Sequence, residues 1–123
     1  MADVPAAPIQ DLVELRDRLR QFASAREWNR FHSPKNLAMA LSVEAAELVE
    51  HFQWLTEAES AALEPAKKAQ VAEELADVLA YLVRIADKLD VDLLAAVAAK
   101  LARNEERYPV ERARGSARKY TEL

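Results

Sequence analysis

Residues 65–89 read PAKKAQVAEELADVLAYLVRIADKL, a run with no glycine and with proline only at its first position. Apolar residues recur at Val71, Leu75, Val78, Leu79, Leu82, Ile85, Ala86 and Leu89, the three-and-four spacing that lines one side of an α-helix. Proline suits the first helical position, where its missing N–H has no partner to lose. The spacing therefore predicts a helix from Pro65 to Leu89. Upstream, Ser33 as N-cap and Pro34 open a second helix that the apolar period carries to about Leu55. Leu12, Leu15, Leu19 and Phe22 predict a first helix from Pro8 to Glu27, with Trp28–Ser33 interrupting the pattern. Thr56 and Glu59 mark a short loop with a helical turn over Glu59–Leu63. Downstream, Asp90 caps a fourth helix whose inward side is Leu94, Val97 and Leu101, ending near Tyr108–Pro109.

No stretch alternates as a strand does, so the expected fold is all-α: a four-helix bundle-like domain over residues 8–109, with a flexible arm at 1–7 and a basic tail at 110–123. The apolar stripes are broader than a small monomer can cover, which predicts a homo-oligomer.

Composition narrows the chemistry. One Gly in 123 residues excludes glycine-rich phosphate loops of the Walker and Rossmann types. No Cys and only two His disfavour zinc, while oxygen-ligated Mg²⁺ or Mn²⁺ stays open. There is no apolar run long enough for a bilayer and no leader pattern, so a cytoplasmic protein without membrane contact is expected. The net charge of −4 is uneven: from Arg107 to Leu123 five basic residues face two acidic ones, leaving −7 before them. The acidic body disfavours nucleic acid as a partner.

Several polar side chains interrupt the apolar faces. At 100° per residue Glu44 falls between Leu41 and Leu48 on the apolar face of the second helix, with His51 on the same face and Glu47 at its border. A core-facing carboxylate must be protonated, ion-paired or bound to a cation. Helix 65–89 offers Glu74, Asp77 and Tyr81 along the flank of its stripe, although Asp77 also reads as a solvated acid near Glu73 and Arg84. Two antiparallel neighbours that each present a Glu-x-x-(Glu/Asp) pair would bring four carboxylates to one point, a donor set for a hard divalent cation. Di-iron bundles use Glu-x-x-His instead, and neither His32 nor His51 has a Glu three residues before it. Lys100, Asn104 and Arg107 form a polar line that is solvated by default; with Arg112, Arg114, Arg118 and Lys119 it becomes a cationic collar fit for a polyphosphate. Trp28, His32 and Trp54 flank the second helix, either as packing anchors or as rings that stack on a nucleobase.

Taken together, the motifs resemble the MazG-like superfamily of all-α nucleoside triphosphate pyrophosphatases, and within it the dCTP pyrophosphatase branch. They are Glu44-x-x-Glu47, Glu74-x-x-Asp77, residues 28–37 (WNRFHSPKNL), 47–54 (ELVEHFQW), 73–81 (EELADVLAY), 100–109 (KLARNEERYP) and 114–120 (RGSARKY). The resemblance implies a homo-oligomer, a tetramer or a dimer, that hydrolyses a (deoxy)nucleoside triphosphate to the monophosphate and pyrophosphate with Mg²⁺, or Mn²⁺ in its place. Its first-choice substrate is dCTP or a modified dCTP, and its role sanitation of the nucleotide pool. By the same resemblance Glu44, Glu47, Glu74 and Asp77 hold the metal; a carboxylate not fully used as a ligand takes the proton from water, and Glu47, central in the tetrad, is the first choice for that catalytic role. Trp28, His32, Trp54 and Tyr81 surround base and sugar, and Lys100, Asn104, Tyr108, Arg114 and Lys119 hold phosphates. The alternative is a non-catalytic helical oligomer that binds nucleotide or a protein partner.

Overall fold

The computed structural model describes residues 7–123, and most of the N-terminal arm, residues 1–6, lies outside the described residues. The secondary structure is helical, with no strand among the described residues: α1 (Leu12–Ala25), α2 (Pro34–Glu50), α3 (Glu57–Ser60), α4 (Pro65–Lys88), α5 (Leu93–Arg107), α6 (Val110–Ala113) and a 3₁₀ turn at Tyr120–Glu122. No helix among the described residues is long and apolar enough to cross a membrane. The chain forms two compact units, one closing at Asp90 and one spanning Val91–Leu123.

In the first unit α4 packs along α2 and, less extensively, against α1. Helix α1 begins at Leu12 and not at Pro8, because Asp11 is extended and its carboxylate accepts the Glu14 N–H at 2.8 Å. At its other end the N–H groups of Trp28 and Glu27 bond back to the carbonyls of Ala23 and Ser24, the paired bonds of a Schellman stop. That motif places Trp28 edge-on against Phe22, with ring centroids 5.6 Å apart. It also puts Glu27 at φ 54°, in the left-handed region where glycine is favoured. Glu27→Gly is therefore expected to stabilise the protein by about 1 kcal/mol, a rise of a few degrees in Tm. An unchanged or lower Tm would show that the strain is absent.

Helix α2 starts as its Ser33-Pro34 pair predicts, with Ser33 accepting the Asn36 N–H at 3.1 Å. It stops at Glu50, short of Leu55. The apolar spacing continues, but the backbone tightens into turns in which Phe52 bonds to Val49 and Leu55 to Phe52. Thr56 and Glu59 form a reciprocal capping box, so the short helix covers Glu57–Ser60, earlier than the expected Glu59–Leu63. The predicted N-cap Asp90 instead has φ 55° and terminates α4.

The core of the described residues is small, comprising Ala23, Leu37, Val71, Val83 and Ala86, and much of the α4 stripe, including Leu75, Leu79 and Leu82, stays exposed in the single chain. In the second unit Asp92 caps α5 by accepting the Ala95 N–H. Leu94, Val97 and Leu101, the expected inward side of α5, are also exposed, Leu94 by 65%. The tail is built from the short α6 and the 3₁₀ turn. Tyr120 returns there edge-on to Tyr108 at 5.9 Å, beneath the Arg107 guanidinium at 4.7 Å.

Candidate active site

Packing α2 against α4 brings Glu44 together with Glu74 and Asp77. One carboxylate oxygen from each lies within 4.8 Å of the others. Oε2 of Glu44 and Oε2 of Glu74 are buried and have no hydrogen-bond partner. Two ionised carboxylates at this separation repel by about 3 kcal/mol at an effective dielectric near 20, and by less where the exposed Asp77 is one of them. The Glu44 carboxyl is accordingly pushed up to about 7, first by burial and then by Glu47, Asp77 and Glu74. Glu47, one turn along α2, reaches the Glu44 side chain but stands outside the group of three. His51 Nε2 lies 3.7 Å from Glu74 Oε1. Tyr81 borders the same cluster: burial and the charges of Glu44 and Asp77 raise its phenol above the ordinary range.

A metal-free protein therefore binds a proton at Glu44 more tightly when folded than when unfolded. This contribution to stability is complete below about pH 4.5 and is lost as the pH rises through 7. In EDTA, Tm is expected to fall between pH 5 and 8. A flat or rising Tm over that window would contradict the arrangement of charges.

The other predicted residues fall into separate groups. Trp28 and His32 lie on the connection between α1 and α2, edge to face at 6.1 Å. His32 Nδ1 is 3.2 Å from the Arg84 guanidinium. Trp54, just past α2, is 87% exposed. In the second unit Lys100 is exposed on α5, Asn104 is half-buried, and Tyr108 packs on Tyr120. Arg114 closes α6 in the open. Lys119 lines a wide, shallow hollow with Arg112 and Arg118.

Two further residues stand out. His51 shares the apolar face with Glu44 in the sequence, and the structure adds its contact to Glu74. Arg84 was expected near the solvated side of Asp77. It is instead only 5% exposed, and its guanidinium turns toward Asn29, His32 and Asp87. The available signal was a lone cation set among Val83, Ile85 and Ala86.

A family model described as MazG-like matches residues 39–123. dCTP pyrophosphatase 1 of Rattus norvegicus is 46% identical over 119 residues, a match covering 95% of this chain and 70% of that protein. The Homo sapiens protein of the same name is 45% identical over the same shares. The crystal structure of a pyrophosphatase from Archaeoglobus fulgidus DSM 4304 superposes with a TM-score of 0.77 at 39% identity, covering 86% of this chain and 99% of that one. With the family model spanning well over half its length, and relatives this similar along nearly all of it, the chain belongs to the MazG-like family.

Proposed function

We propose that the chain hydrolyses dCTP, or a modified dCTP, to the nucleoside monophosphate and pyrophosphate in a Mg²⁺-dependent reaction. The observation that carries this reading is the convergence of Glu44, Glu74 and Asp77 with two buried oxygens left unpartnered. Such an all-oxygen, multiply anionic set fits a hard divalent cation, Mg²⁺ or Mn²⁺. The substrate comes from the relatives named dCTP pyrophosphatase 1.

When bound, the cation offsets triphosphate charge and favours water as a nucleophile. Glu47, outside the group of three yet beside Glu44, is left free to take the proton from the attacking water. The new P–O bond forms at the α-phosphorus, and the bond to the bridging oxygen breaks, releasing pyrophosphate. Trp28, His32, Trp54 and Tyr81 are assigned to base and sugar. On their chemistry, Lys100, Asn104, Tyr108, Arg114 and Lys119 are assigned to the phosphates. The exposed apolar side chains of α4 and α5 support assembly as a homo-oligomer, a tetramer or a dimer. The place of work would be the cytoplasm, where the nucleotide pool lies.

The test is a panel of ribo- and deoxyribonucleoside triphosphates incubated with and without Mg²⁺, with products separated by chromatography. Equimolar dCMP and pyrophosphate, formed only with Mg²⁺ and fastest from a deoxycytidine substrate, is the expected result. Diphosphate plus phosphate, or no turnover of any nucleotide, would overturn the proposal.

A further inference from the structure

Arg84 is the one buried charged residue among the described residues. Its Nη2 donates to Asn29 Oδ1 at 2.9 Å and meets His32 Nδ1 at 3.2 Å, while Nη1 reaches Asp87 Oδ2 at 3.5 Å. Asp87 is gripped by two bonds from Arg20 of α1, the Nε one at 2.8 Å. Lys88 Nζ lies 3.4 Å from the same Asn29 oxygen. A hollow of about 410 Å³ opens among these side chains; each charged group lining it has a partner within the protein, and the buried Nε of Arg84 alone is left without one. The cluster ties α1, α4 and the Trp28–His32 connection together as an internal clamp.

The clamp's geometry fixes more than the loop's position. Arginine has no acceptor and stays protonated, so His32 Nδ1 must accept, which makes the ring neutral with its proton on Nε2. Burial and the cations Arg84 and Lys88 also hold His32 below the ordinary imidazole range. Burying a cation for stability alone is poorly rewarded, since an apolar side chain of similar volume commonly does as well. What only a forked donor gives is Nη1 anchored on Asp87 while Nη2 holds Asn29 and His32, at the two ends of one turn of the Trp28–His32 connection.

We propose that Arg84 is a positioning residue for the nucleotide site: from α4 it orients His32 and, through Asn29, the Trp28 segment, so that the ring presents an Nε2–H donor to the substrate. This rests on the assignment of Trp28 and His32 to base and sugar. In Arg84→Met the KM for the preferred triphosphate is expected to rise about tenfold with kcat within twofold, the loss of one charge-assisted hydrogen bond in ground-state positioning. Side-chain ¹⁵N NMR is expected to show the Nε2–H form of His32 in the unaltered protein and a mixture of tautomers in the variant. Arg84→Lys, which keeps the charge without the fork, is expected to give the same KM shift and serves if the Met variant does not fold. Unchanged KM in a folded variant, an equal fall in kcat in place of a rise in KM, or retention of a pure Nε2–H tautomer would overturn the proposal. If the unaltered protein turns over no nucleotide, the functional reading fails separately, and the tautomer alone decides whether Arg84 orients His32.

Discussion

Replacing Glu74 by Gln is expected to lower turnover at least about a hundredfold while leaving the metal-free protein as stable as before, or more so. Glu74 contributes one of the three converging carboxylates, and its Oε2 is buried without a partner. An amide of the same shape keeps the packing and a contact for His51 but removes a negative charge from the cation site. Losing several kcal/mol of charge stabilisation in the transition state corresponds to about two orders of magnitude or more in rate. In the metal-free protein the same change relieves repulsion, which is why Tm is expected to hold or rise in EDTA. The combination is diagnostic, because a residue that mattered only for folding would lose stability and activity together. Retained turnover in the folded variant would remove Glu74 from the site.

Glu47→Gln is the second large effect, and it separates differently. Glu47 lies beside Glu44 but outside the group of three, so its proposed work is to accept a proton and not to complete the cation site. A lost general base typically lowers the rate by about 10²–10⁴. Divalent-ion binding measured without nucleotide is expected to survive this substitution, whereas Glu74→Gln weakens it. If Glu47→Gln abolished ion binding as thoroughly as Glu74→Gln, Glu47 would be a ligand and the base would have to be sought elsewhere. Retained turnover would remove Glu47 from the reaction.

The features legible in the sequence are those fixed by near neighbours. Ser33-Pro34 and Pro65 announce helix starts because capping and the missing proline N–H act within one turn. Glu44 is legible as a site residue because a carboxylate inside an apolar face contradicts its surroundings. The ends of helices were harder. Glu27 and Asp90 take left-handed conformations without being glycine, so nothing in their identity marks them, and with Asp90 and Asp92 two residues apart either could have capped α5. The end of α2 was hidden because Phe52 and Leu55 keep the apolar spacing while the hydrogen bonds shorten to turns. Arg84 is not legible as a clamp because, besides Asp87 one turn along, its partners His32 and Asn29 lie 52 and 55 residues away, a separation that no local pattern encodes. The position of Glu47 just outside the group of three depends on side-chain conformation, which helical spacing leaves undetermined.

Whether Glu44, Glu74 and Asp77 form a divalent-cation site is decided by titrating the EDTA-treated, dialysed protein with Mn²⁺. Free ion is followed by electron paramagnetic resonance at pH 8 in the absence of nucleotide. Saturable Mn²⁺ binding, displaced by Mg²⁺ and weakened at least tenfold in Glu44→Gln and in Asp77→Asn, is the expected result. Binding of equal strength in the unaltered protein and both variants, or no saturable binding at all, would contradict it.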